Sequence, residues 1–170
     1  MSEQVYNPSE PFTEVTVFEA TSVPTAVVEV TDYPMDELET IFDQAFSGLF
    51  PALGEVGAEP VGPAFALYTR QPSDTVDLQI GVPLAAGLTQ ALDVGNGLTA
   101  VPAELPGGTI GARTYLGGFD GLGPAWGEFV NELLEAGHHP GLPFFEVYVT
   151  EPSPDMDPAD LRTDLYIVLS

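Results

Sequence analysis

The residue with the clearest chemical consequence is Glu146, a single carboxylate inside the apolar run Pro143-Phe144-Phe145-Glu146-Val147-Tyr148-Val149-Thr150. Runs of Phe, Val and Tyr form half-buried or buried strands. A carboxylate held in such a strand loses hydration worth several kcal/mol unless something compensates. Two arrangements compensate it. Either Tyr hydroxyls, Arg113 or Arg162 serve as internal partners, or the group is presented to a ligand. No other catalytic pattern competes. There is no Ser/His/Asp spacing, and no phosphate-cradling Gly-rich loop follows a strand and opens a helix. His138-His139 falls in a helix-ending turn with no third ligand, and Pro154-Asp155-Met156-Asp157-Pro158 lacks the loop pattern of a calcium site, so no metal is expected. The chain has no Cys, which excludes disulfides, thiolate metal sites and cysteine nucleophiles. No cofactor is implied.

The elements that must hold Glu146 follow from periodicity. Residues 1–12 carry two Pro and no period and read as a flexible arm. Strands are expected at Thr13 to Glu19 and Pro24 to Thr31, with Tyr33-Pro34 breaking the pattern. Leu38, Ile41, Phe42, Ala45, Phe46, Leu49 and Phe50 recur at helical spacing, so a helix is expected from Met35, ended near Leu53 by Pro51 and Gly54. Pro63 to Arg70 and Thr75 to Leu84 read as a hairpin around residues 71–74. Residues 85–97 are rich in Gly and Ala and read as a linker, followed by strands at Leu98 to Leu105 and Thr109 to Leu116. Asp120 is the expected N-cap of a second helix carrying Leu122, Trp126, Phe129, Val130 and Leu133. After the Glu146 strand and a Pro/Asp-rich loop, Leu161 to Leu169 closes the chain.

This layout repeats. Aligning Tyr68 with Tyr148 also aligns Phe65 with Phe145 and Ala66 with Glu146. The fold class expected is therefore α+β: two pseudo-symmetric βαββ units, about 13–84 and 98–170, with antiparallel sheet and two helices on one side. The groove is expected at the seam between the halves, which carries Ala66, Tyr68, Glu146 and Tyr148. Alternation along a strand puts Phe144, Glu146, Tyr148 and Thr150 on one face and Phe145, Val147 and Val149 on the other. The second row is expected beneath the helices, and the first in the cleft.

The 170 residues carry a formal net charge of −23, with no Lys and only Arg70, Arg113 and Arg162 as basic groups. Nucleic acid and anionic membranes, which are bound by neutralising phosphate with Lys and Arg, are disfavoured by such a surface. The acidity reads either as a salt-tolerant solvated surface or as a field that attracts cations. No apolar run reaches the roughly 20 residues needed to span a bilayer. The N-terminus lacks the basic and apolar regions of a signal peptide, so a cytoplasmic location is expected.

The segments "G-P-A-F-A-L-Y", "V-D-L-Q-I-G-V-P-L", "L-P-G-G-T-I-G-A", "G-G-F-D-G-L", "G-L-P-F-F-E-V-Y" and "L-R-T-D-L-Y" together resemble the GyrI-like small-molecule (effector) binding domain family, over about residues 13–169. The resemblance implies two fused βαββ units around a central groove that takes lipophilic, often cationic, compounds, with the family's buried glutamate falling on Glu146. This chain departs from the pattern in having Gln79 for a hairpin glutamate, Tyr115 for a His, Phe119 for a Tyr and Phe145 for an aromatic that is often Trp. No helix-turn-helix or coiled-coil segment is evident, so a domain of the stand-alone kind is expected. The mechanism implied is capture of a lipophilic cation by Glu146, with Phe144, Phe145, Tyr68, Tyr148, Tyr115, Trp126 and the small Ala66 lining the groove. The partner expected is thus a small molecule. Two other classes remain open. One is a hydrolase of strained electrophiles that uses Glu146, weakened by Gln79 and Tyr115. The other is an acidic protein inhibitor, such as of gyrase.

Overall fold

In the computed structural model, which describes residues 6, 10–70, 73–95, 97–118, 121–150, 157 and 161–169, the alternating segments form one nine-stranded antiparallel sheet. In chain order the elements are β1 (Thr16–Ala20), β2 (Val23–Pro34), a 3-10 turn (Met35–Glu37), α1 (Leu38–Glu55), β3 (Phe65–Tyr68) and β4 (Thr75–Pro83). They continue with β5 (Leu92–Gly95), β6 (Leu98–Leu105), β7 (Gly108–Leu116), α2 (Leu122–Glu135), β8 (Pro140–Tyr148) and β9 (Arg162–Leu169). Among the described residues, no helix is long and apolar enough to cross a membrane.

Strand order across the sheet is β1-β7-β9-β8-β3-β4-β2-β6-β5. The two βαββ units are β2-α1-β3-β4 and β7-α2-β8-β9, and their second strands, β3 and β8, pair at the centre. That pairing sets Phe65 opposite Val147, Ala66 opposite Glu146, Leu67 opposite Phe145 and Tyr68 opposite Phe144. The repeat offset of 80 residues continues into the helices, where α1 ends at Glu55 and α2 at Glu135. Just beyond each end, Gly57 and Gly137 both take positive φ, 69° and 87°, which ends a helix at little cost only with glycine.

The halves do not divide where composition suggests. β1 is an edge strand on β7 of the second unit, while β6 pairs with β2 of the first. The stretch read as a linker contains β5, which pairs with β6 and packs on α1. Gly48 makes that packing possible: a Cβ there would lie 1.8 Å from the Val94 carbonyl oxygen. β2 also runs through Tyr33-Pro34 rather than stopping before them. It absorbs the interruption as a bulge between Val30 and Tyr33, with Asp32 at φ 52°. Pro51 lies inside α1, which continues to Glu55. Phe119, Asp120 and the Pro/Asp-rich loop, except Asp157, lie outside the described residues; α2 is preceded by Gly121 without a side-chain cap.

Short connections curl the sheet. Two residues, Thr21 and Ser22, link β1 to β2, and Pro106 and Gly107 link β6 to β7. Two residues reach only about 11 Å, whereas β1 and β2 would stand about 29 Å apart in a flat sheet of this order. The sheet therefore bends its ends together and encloses one face as its own core. That inner core contains Val27, Phe65, Leu67, Ile110, Phe145, Val147 and Tyr166. Tyr6 of the N-terminal arm is buried there, edge-on to Phe145 and Tyr166, and Phe12 is tied to Thr114. The outer face is the one the helices cover, with Ile41, Ala45, Leu49 and Leu53 of α1 on β2, β3 and β4, and Phe129 and Leu133 of α2 on β9.

Candidate functional site

The curled sheet reverses one expectation. The row beneath the helices is Phe144, Glu146 and Tyr148, and the row Phe145, Val147 lies in the inner core. Phe145 is 0% exposed and stacked on Tyr166, 5.1 Å between centroids, so the backbone separates it from Glu146's surroundings. It is therefore removed from the candidate site. Adjacent strand residues point to opposite faces, so Phe145 and Glu146 cannot share one groove.

Glu146 sits on β8 at the seam, 6% exposed. The Trp126 Nε1–H of α2 donates to Oε1 at 2.7 Å, and the Tyr148 hydroxyl donates to Oε2 at 2.7 Å. Each carboxylate oxygen thus holds one neutral donor, and no described residue supplies a cation. The candidate arginine partners are engaged elsewhere: Arg113 pairs with Glu132, Arg162 with the fully buried Asp164, and Arg70 with Asp32 and Asp77. Burial pushes the Glu146 carboxyl up from its ordinary range, and the bonds from Tyr148 and Trp126 offset part of that. Burial likewise raises the hydroxyls of Tyr148 and Tyr68, with the nearby Glu146 charge acting in the same direction. Both tyrosines stay protonated and able to donate.

Aromatic rings surround the carboxylate. Tyr68 stacks on Phe144 at 5.1 Å and 12°, and Trp126 meets Phe144 at 4.9 Å and 60°. Phe42 of α1 meets Tyr148 edge-on at 6.1 Å. Ala66, opposite Glu146, is fully buried and leaves the first half without a polar group at the equivalent position. The structure therefore brings together Glu146, Tyr148, Phe144, Tyr68, Ala66 and Trp126. Trp126 lies on the apolar stripe of its helix, yet its indole N–H is spent on the carboxylate.

Tyr115 lies elsewhere. On β7, two strands from β8, its hydroxyl donates to the Gly118 carbonyl at 2.8 Å and clasps the turn that enters α2. It also lines a cavity of about 330 Å³, with Phe12, Arg113, Ala125 and Glu128, on the flank of α2 away from Trp126. Gln79, in place of a hairpin glutamate, donates to Glu29 at 2.9 Å across the β2–β4 pair. Among the described residues no group of three or more His, Asp or Glu is placed to hold a metal.

Sequence reasoning missed the α1 wall. The flank of α1 carrying Gly48 faces β5, at the outer edge of the sheet, so Phe42, Phe46 and Phe50 lie on the opposite flank, toward the seam. The rings follow one another at 6.1 and 6.4 Å. The repeat held the signal, because the 80-residue offset that aligns Ala66 with Glu146 also aligns Phe46 with Trp126.

No family model and no curated protein matches the chain. Solved structures do. The EcmrR C-terminal domain superposes with a TM-score of 0.72 at 13% identity, over 92% of this chain and 97% of that one. A hydrolase from Listeria innocua superposes with a TM-score of 0.66 at 12% identity, over 95% and 94%. SAV2435 bound to tetraphenylphosphonium superposes with a TM-score of 0.65 at 10% identity, over 93% and 94%. The chain shares the α+β, GyrI-like fold of these neighbours.

Proposed function

We propose that the protein binds lipophilic organic cations at the β3–β8 seam beneath α1 and α2, with Glu146 as the counter-charge. One observation carries this reading: a carboxylate 6% exposed, with a neutral donor on each oxygen and aromatic rings about it, but no cation within ion-pair reach among the described residues. Tyr148 and Trp126 satisfy the carboxylate's hydrogen bonds but leave its charge unbalanced, and each of the three arginines is paired with another acid. An entering organic cation sheds water that it holds weakly. In return it gains a Coulomb interaction in a medium of low dielectric and cation-π contacts of about 0.5–2 kcal/mol each. The ring walls tolerate varied shapes, so ligands of different outline are accommodated. A solved neighbour of the same fold holds tetraphenylphosphonium, a cation of this kind.

Binding requires rearrangement, because Trp126 and the Tyr68–Phe144 stack occupy the space beside Glu146. The indole swings off Oε1 as the cation arrives, exchanging a neutral donor for a positive charge. The test is a thermal-shift panel of tetraphenylphosphonium, rhodamine-type dyes and neutral analogues of equal size, with recovery of the ligand by mass spectrometry. Stabilisation by the cations, absence of stabilisation by the neutral analogues and intact recovery support a binder. Equal stabilisation by both sets overturns the role of Glu146. Conversion of the ligand with turnover would instead assign the raised carboxyl to hydrolysis.

A further inference from the structure

The two halves of the groove are unequal in a way that specifies the shape of the ligand, and this inference rests on the cation-binding reading above. The second half offers Glu146, Trp126 and Tyr148; at the repeat-equivalent positions the first half offers Ala66, Phe46 and Tyr68. Of these positions only Glu146 supplies a buried carboxylate. Beyond it, one ring row runs from Trp126 through Phe144 to the buried Tyr68, and another runs out toward solvent from Tyr148 to Phe42, then Phe46, then Phe50, at centroid separations of 6.1, 6.1 and 6.4 Å. On α2 the row past Trp126 passes to the aliphatic Val130 and Leu134. Phe50 is 46% exposed, an aromatic left open to water at the far end of the row. From Phe42 to Phe50 the helix rises about 12 Å.

We infer that the ligand class is an elongated monocation, with its charged head at Glu146 and one apolar arm along Phe42, Phe46 and Phe50, rather than a compact or doubly charged compound. Charge complementarity fixes the head. The arm follows because water is excluded from both surfaces when an apolar chain covers the ring row. A second cationic centre on the arm would meet phenylalanine rings and the exposed Asp43, whose pairing solvent screens, and would gain less there than an apolar chain does.

The experiment uses alkyl-triphenylphosphonium ions of increasing chain length, from methyl to octyl, together with an alkyl-bridged bis-phosphonium, against wild type, Phe50→Ser and Phe50→Trp. Phe50 is half exposed, so neither substitution disturbs the core, and Phe46→Ser serves as a second probe of the same row. Wild-type affinity is expected to rise at least tenfold along the series. Phe50→Ser should remove most of that rise while leaving the methyl compound within twofold, Phe50→Trp should restore it, and the bis-phosphonium should bind more weakly than the octyl monocation. A chain-length gain unchanged in Phe50→Ser and Phe46→Ser, or tighter binding of the dication, overturns the inference and leaves the Glu146 site standing. Failure of every phosphonium to bind, or binding unaffected by Glu146→Gln, instead removes the cation reading on which it rests.

Discussion

Glu146 costs the free protein stability, and the sign of that cost can be measured. Its carboxyl titrates above the ordinary range because of burial, so between the unfolded and native values the native state binds more protons. Native stability then falls as pH rises through that window. Glu146→Gln removes the charge and keeps both contacts, since the amide oxygen can accept from Trp126 and the amide nitrogen can donate to the Tyr148 oxygen. The difference in Tm between variant and wild type should widen in the variant's favour from about pH 4 to pH 8; a variant less stable than wild type at neutral pH would contradict a buried, uncompensated carboxylate. The proposed cation binding should have the opposite pH dependence and weaken on acidification, because only the ionised carboxylate would attract the ligand. Trp126→Phe deletes the donor on Oε1, and bonds to charged groups contribute about 1.5–3 kcal/mol. The midpoint of the pH dependence of binding should therefore move upward by about one to two units. An unchanged midpoint would mean that the indole serves only to pack against Phe144. The sequence showed the odd carboxylate, its facing Ala66 and the two tyrosines. It could not show that the indole is its donor, because a tryptophan on an apolar helical stripe has the same pattern whether or not its N–H is spent.

At the scale of elements, the two helices flank the candidate site, and α1 is held by a close approach that the sequence states only indirectly. Gly48 lets α1 meet the β5 backbone, and a methyl group there would collide with the Val94 carbonyl rather than with a flexible side chain. Gly48→Ala should cost about 1–3 kcal/mol and release the β5–β6 edge, seen as a lowered Tm and faster amide exchange at Leu92 to Gly95; full wild-type stability would show that α1 shifts freely. The β3–β4 hairpin, both helices and the repeat were legible because their periods are clean. Which face of β8 lies under the helices was not, because Phe144 and Tyr148 on one row look as apolar as Phe145 and Val147 on the other. The available signal was the pair of two-residue connections, Thr21-Ser22 and Pro106-Gly107, which force the sheet to curl and make a second core. β5 escaped notice because Gly and Ala around it carry little alternation, and its burial is supplied by α1.

Over the whole molecule, a charge of −23 with three arginines, each in an ion pair, leaves a surface of one sign. Self-repulsion destabilises the compact state, so Tm should rise as salt is added at low ionic strength; a flat response would mean that the acids are spaced beyond mutual reach. On the proposed reading the same field would gather cations toward the site, and it is screened within about 10 Å at 0.1 M salt. Added salt should therefore slow association several-fold while changing dissociation little, because the pairing with Glu146 is buried. On the proposed reading, the curled sheet, the central β3–β8 pair and the helices would hold a single negative charge out of water until a positive one replaces the indole. The most direct test is a calorimetric titration of tetraphenylphosphonium into wild type and Glu146→Gln at one pH and ionic strength. The account predicts saturable one-to-one binding by wild type and at least tenfold weaker binding, about 1.4 kcal/mol or more, by a variant that is folded and no less stable. Equal affinity in the two proteins would contradict it.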